Sequence, residues 1–202
     1  MNIKKPQNFK DLLRLQKILD KEVDKKRDNG FVPRERNWTD MKLSLLDEFM
    51  EWLKELPQEI NFKTWKQKTY NREKELEEYV DCLFFFLQLI NSIIAGMEKE
   101  IKENGYYNLK EDLKDFKELS LVSNLSYNEF FNLSNEEYKY QLEEKIEWFI
   151  KYLFWYDGIM DTYYVWLDIS SLRGFSKQEI LDTYYKKWKK NMERINKDWC
   201  LK

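Results

Sequence analysis

The sequence predicts an all-α protein, a helical bundle with no sheet, and three observations carry that expectation. Apolar residues recur at helical spacing almost from end to end. Pro, Gly and Asn act as punctuation between the periodic stretches in a chain otherwise rich in Glu, Lys, Leu and aromatics. The S-x-x-E capping box, in which a serine and a glutamate satisfy each other's backbone N–H groups at a helix start, occurs at Ser134–Glu137 and at Ser176–Glu179. Five or six helices are expected.

The first helix runs from about Asn8, a suitable cap, to about Lys26, and stops before the turn Asp28-Asn29-Gly30 and Pro33. A second starts near Trp38 and ends at Pro57. Its apolar residues Leu45, Leu46, Phe49, Trp52, Leu53 and Leu56 share one face, and Glu48, Glu51 and Glu55 flank that face at a packing edge. The third extends from about Tyr70 to Glu103, before Asn104-Gly105. From Tyr79 to Ile94 it is apolar nearly all the way round, which marks it as the central helix. Residues 104–133 are less regular, with Asn, Ser and scattered aromatics, so short helices or a mobile insert are expected there. The two capping boxes open long helices near 135 and 177, and Gly174 separates the last helix from its predecessor. No internal repeat is present, and 1–202 is read as a single domain.

Composition narrows the chemistry. Charged residues make up 36% of the chain, yet the net charge is only -2, so no global basic field points to nucleic-acid binding and any phosphate recognition must be local. Cys82 and Cys200 lie far apart, and the charged stretch from Met1 to Asp11 is no apolar signal core; a reducing cytoplasm is the expected compartment. The longest apolar run, Cys82 to Ile90, is interrupted by Gln88 and falls short of the roughly 20 residues that cross a bilayer, so no membrane association is expected. There is no histidine, which removes the commonest general base and transition-metal ligand together. Gly-rich phosphate loops and C-x-x-C pairs are missing as well. Carboxylates and hard metals remain.

Glu48 and Glu51 stand three apart, as do Glu78 and Asp81, so each pair projects from one side of its own helix. Side by side, the two helices would gather four carboxylates. Left alone such a cluster repels itself, whereas Mg2+ bound through carboxylate oxygens would make it favourable. Ordinary solvated helix acids are the alternative for Glu48, Glu51 and Glu55. Asp81 argues against it. It is the only charge between Tyr79 and Glu98, where an unpartnered carboxylate would cost several kcal/mol.

At these residues the chain resembles the all-alpha nucleoside triphosphate pyrophosphohydrolases, a superfamily of MazG-like enzymes and dimeric dUTPases. The E-x-x-E and E-x-x-D pairs are its signature. More specific to dimeric dUTPases are Phe62-Lys63-Thr64-Trp65-Lys66, similar to their F-K-x-W segment, and Leu76-Glu77-Glu78-Tyr79-Val80-Asp81-Cys82-Leu83-Phe84-Phe85, similar to L-E-E-Y-V-D-G-L-H-F. Gly174-Phe175-Ser176 through Ile180, with Tyr184, Lys187, Asn191 and Arg194, is similar to the family's closing stretch, and Gln16 to its early glutamine. Departures are Cys82 for glycine, Phe84 for histidine, Trp188 for asparagine, Ile195 for glutamine, and a longer spacing between Glu51 and Phe62. They leave the acids intact and bear on base recognition.

The resemblance implies Mg2+-dependent hydrolysis of dUTP to dUMP and pyrophosphate by attack on the beta phosphate. It also implies that Glu48, Glu51, Glu78 and Asp81 hold the metal and that Glu48 or Glu51 orients the attacking water. Lys187 and Arg194, seven apart on one helix face, are candidates for phosphate contacts, and Lys63 and Lys66 are further ones. Gln16 and Asn191 each offer a donor and an acceptor, as reading a uracil edge requires, and Trp65 is placed to stack on a base or close the pocket. A homodimer in the cytoplasm of a bacterium or of a phage-infected host cell is the expected setting. A related pyrophosphatase acting on dCTP or another nucleotide, and a catalytically inactive helical module that binds a protein partner, are the competing readings.

Overall fold

A computed structural model describes residues 3–28, 35–106, 109–121, 133–155 and 158–197. Among these residues there are seven α-helices and no strand: α1 Phe9–Asp28, α2 Trp38–Glu55, α3 Arg72–Asn104, α4 Leu109–Lys117, α5 Asn135–Leu153, α6 Ile159–Leu172 and α7 Lys177–Asn196. The all-α expectation holds with more helices than expected. Part of the stretch around 104–133 is the short helix α4, and residues 122–132 lie outside the described residues.

Helix starts follow local hydrogen bonding. Ser134 and Ser176 each accept from the backbone N–H three residues on, while Glu137 and Glu179 reach back, so both boxes read in the sequence form. Asn37 and Asp40 make a third at the start of α2. At the end of α6, Gly174 takes a positive φ of 64°. Its N–H donates to the carbonyl of Ser171 at 3.0 Å and the N–H of Phe175 to that of Ser170 at 2.9 Å, a turn that a side chain at position 174 would strain. Phe175 then packs on the ring of Tyr79, with centroids 5.2 Å apart.

α3 is the axis of the bundle and contacts α1, α2, α4, α6 and α7, while α5 leans on α2 and α6. Its buried face, from Leu76 through Ile94, meets aromatics from every side. Tyr79 stacks on Trp166 at 4.7 Å and meets the edge of Trp52 at 5.3 Å, and Phe49 stacks on Phe149 at 3.7 Å. By length and hydropathy α3 is sufficient to cross a membrane, unlike its longest uninterrupted apolar run, but 56% of its most apolar stretch is buried inside the bundle. That placement makes it the core helix.

One ionic network sits inside this core. Glu75, in the first turn of α3, is fully buried. Arg173, at the end of α6, donates from Nε to its Oε1 at 2.6 Å and from Nη2 to its Oε2 at 2.8 Å. The indole of Trp52 at 3.3 Å and the hydroxyl of Tyr70 at 2.7 Å complete the set of donors. This two-pronged pair ties the start of α3 to the α6–α7 corner. Arg173→Met should destabilise the fold by about 3–5 kcal/mol, because it leaves a buried carboxylate without its counter-charge. The Glu75→Gln/Arg173→Met double variant should recover most of that loss. Urea unfolding of the three proteins measures both.

Candidate active site

α2 and α3 lie alongside each other, and their facing edges carry the acids. Glu48 of α2 and Glu78 and Asp81 of α3 bring carboxylate oxygens within 4.8 Å of one another, each side chain half-buried. Burial, reinforced by Asp81 and Glu78, pushes Glu48 up to about 7. Asp81 is pushed up to about 6, again chiefly by burial, with Lys187 opposing the shift. Lys187 reaches over from α7, forms an ion pair with Asp81 and donates to the backbone carbonyl of Glu77 at 2.9 Å. The compensation demanded of Asp81 by its apolar surroundings is therefore present as one ammonium, while the neighbouring carboxylates oppose its ionisation.

Glu51 is not in that trio. One turn beyond Glu48 and nearer solvent, it pairs with Lys54. Glu55, also on the flank of α2, is buried and held by Lys68 and Lys74, the latter at 2.9 Å.

The trio opens into a cleft of about 1440 Å³ between α1, α2, α3 and α7, roomy enough for a nucleoside triphosphate. Lys187, Asn191 and Arg194, spaced four and three apart, line it from one face of α7, and Gln16 lines it from α1. Gln16 has no exposed surface: its Oε1 accepts from the hydroxyl of Tyr184 at 2.9 Å, and its Nε2 donates to Asp20 at 2.8 Å. Lys63, Trp65 and Lys66 are not among the lining residues. They sit on the segment joining α2 to α3, where Trp65 is 72% exposed, the ammonium of Lys63 lies 5.6 Å from the centroid of the Phe62 ring, and Lys66 is exposed. Asp20, Arg36, Gln88 and Asn91 line the cleft too, and none was singled out from the sequence as a site residue. Gln88 and Asn91 did carry a signal, being polar interruptions of the apolar run in α3.

A family model described as dUTPase matches residues 8–199. The chain belongs to the all-alpha dUTPase family. As a dUTPase it hydrolyses dUTP to dUMP and pyrophosphate, and its match spans all seven helices. A comparison with curated proteins returns no match. Enzymes of the family use a divalent metal, and the donor set of this dUTPase suits one: three convergent carboxylates, with no histidine in the sequence, favour a hard cation over a transition metal that prefers nitrogen or sulfur.

Gathering acids has a consequence for stability. Glu48 at about 7, Asp81 at about 6 and Asp20 at about 6 all bind protons more tightly in the folded chain than at their ordinary values of 4.5, 3.8 and 3.8. Between about pH 4 and about pH 7 the folded state therefore holds more protons than the unfolded one, so these groups make stability fall as pH rises through that window. In EDTA, Glu48→Gln should flatten the fall between about pH 5 and about pH 8 and raise stability at the upper end. Urea midpoints measured across that range check it, and an unchanged slope would show that Glu48 titrates normally.

Proposed function

We propose that this dUTPase works with Mg2+ held by Glu48, Glu78 and Asp81, with Glu51 joining from the next turn of α2 by leaving Lys54. The reading rests above all on the convergence of the three carboxylates at the floor of the cleft. When bound there, the metal would neutralise triphosphate charge and lower the pKa of a coordinated water. Glu48, beside the position of the metal, orients the attacking water and takes its proton. Lys187, already beside Asp81, and Arg194, two turns further along α7, contact phosphate oxygens and keep the chain of phosphates in line.

Asn191 and Gln16 serve the nucleoside end from α7 and α1. Lys63, Trp65 and Lys66 belong to the same reading as groups brought over the substrate by the segment between α2 and α3, which is tied down at Asn61, whose amide donates to the carbonyls of Lys54 at 3.1 Å and Leu56 at 2.9 Å. We further propose a homodimer, consistent with the exposed aromatics Tyr140, Trp148 and Trp155 on and just after α5. A cytoplasmic setting, in a bacterium or a phage-infected cell, agrees with the free, buried thiol of Cys82. The near-zero net charge disfavours nucleic-acid partners.

Asp81→Asn and Glu48→Gln should each lower dUTP turnover by at least about 100-fold while leaving far-UV circular dichroism unchanged, and EDTA should abolish wild-type turnover until Mg2+ is restored. Release of pyrophosphate and the corresponding monophosphate from dUTP, dCTP, dTTP and UTP is the measurement. Full activity of both variants would remove the trio from the reaction, and a preference for dCTP would reassign the base pocket.

A further inference from the structure

The stripe of α3 that carries the acids continues along the cleft. Glu78, Asp81, Phe84, Phe85, Gln88 and Asn91 follow one another at intervals of one or three residues and all line it. Gln88 stands seven residues beyond Asp81, or about 10 Å along the helix axis, on the same wall of the cleft as the acids.

A hydrogen-bonded cluster is built at that distance. Asp20 of α1 points Oδ1 at two side-chain amides, accepting from Nε2 of Gln16 at 2.8 Å and from Nε2 of Gln88 at 2.9 Å. Arg36 donates to Oε1 of Gln88 at 3.4 Å, with its guanidinium 5.6 Å from the centroid of the Phe85 ring. Gln16 is in turn anchored by Tyr184 at 2.9 Å, which itself stacks on Phe84 at 4.4 Å. The other oxygen of Asp20, Oδ2, has no hydrogen-bond partner among the described residues.

Two further observations indicate that this cluster lacks a donor. Desolvation outweighs both amide hydrogen bonds and raises the proton affinity of Asp20, as expected for a carboxylate with too few donors. Asn91, one turn along α3 from Gln88, is buried, donates to the carbonyl of Leu13 at 3.2 Å, and leaves its own Oδ1 without a partner. Buried acceptors are normally satisfied, so the unpartnered Oδ1 of Asn91, on the same cleft wall as the half-buried Asp20 with its open Oδ2, marks a place where a ligand brings hydrogens.

We propose that Asp20 accepts a hydrogen bond from the nucleoside half of the substrate through Oδ2, and that Gln16 and Gln88 are positioning residues that hold it for that contact. The inference rests on the dUTPase reading of the cleft and deepens it. Gln16, with no exposed surface and both ends of its amide engaged, acts through Asp20 rather than on the base directly. A deoxyuridine offers two such donors, the imide N3–H of the base and the 3′-hydroxyl of the sugar. Either can meet a carboxylate oxygen.

Asp20→Asn is the informative variant. Its carbonyl oxygen still satisfies Gln16 and Gln88, so its NH2 faces the position of Oδ2 and a donor meets a donor. Affinities of wild type and variant are compared for α,β-imido-dUTP and for its N3-methyl and 3′-deoxy forms. The variant should bind α,β-imido-dUTP about 10- to 100-fold more weakly, the range for loss of one hydrogen bond to a charged group. On the analogue that lacks the donor read by Asp20 the variant and wild type should bind alike: equality on the N3-methyl form assigns the base imide, and equality on the 3′-deoxy form assigns the sugar hydroxyl. Gln16→Met should weaken wild type but add nothing in the Asp20→Asn background. An equal loss on all three ligands, or no loss on any, would overturn the proposal. Because these are binding measurements, a wild-type chain that binds the imido analogue without cleaving dUTP would count against the reaction and leave the assignment of Asp20 decided.

Discussion

Holding three carboxylates within 4.8 Å of one another in a half-buried wall is electrostatically unfavourable, and the surrounding structure is organised round that concentration of charge. The cost is met partly by Lys187 and partly by protons, since Glu48 and Asp81 both hold theirs well above the ordinary carboxylate range. A divalent cation meets it more fully. Such a site persists only on a rigid support, and here the support is the aromatic packing of α2 and α3 through Phe49, Trp52 and Tyr79 directly behind the acids.

The same helices divide the work between stability and chemistry along their length. At its start α3 is locked by Glu75 and Arg173, a pair closed off from solvent and satisfied by Trp52 and Tyr70. One turn later Glu78 lines the cleft, and a turn beyond it Asp81 does so with Lys187 as its partner. Glu75, with its donors in place, and Glu78, which lines the cleft, thus sit three residues apart on one helix, as a structural acid and a candidate metal ligand.

Much of this was legible in the sequence because it is local. Helical period, the boxes at Ser134 and Ser176, and the paired i, i+3 acids all depend on residues a few positions apart. The stop at Gly174 was readable for the same reason. What escaped depends on partners distant in sequence. Glu75 lies in Arg72-Glu73-Lys74-Glu75-Leu76-Glu77-Glu78, which reads as a solvated charge run; only Arg173, 98 residues away, shows it to be buried. Asp20 similarly opens a charged stretch, and its amide partner Gln88 is 68 residues on. Glu51 shares the spacing of Glu48, but in the structure it pairs with Lys54 and stands outside the trio. Gln16 was identified by its resemblance to a family position, whereas its fully committed amide became visible only with Tyr184 and Asp20 in place.

Whether Glu48, Glu78 and Asp81 form a metal site is tested most directly by calorimetric titration of the EDTA-treated protein with Mg2+. Run near pH 7 in two buffers of different ionisation enthalpy, it reports the protons released on binding as well as the affinity. Saturable binding with proton release from Glu48, and loss of both in Asp81→Asn, is the expected result. Binding that is indifferent to Asp81, or no binding above that of the variant, would contradict it.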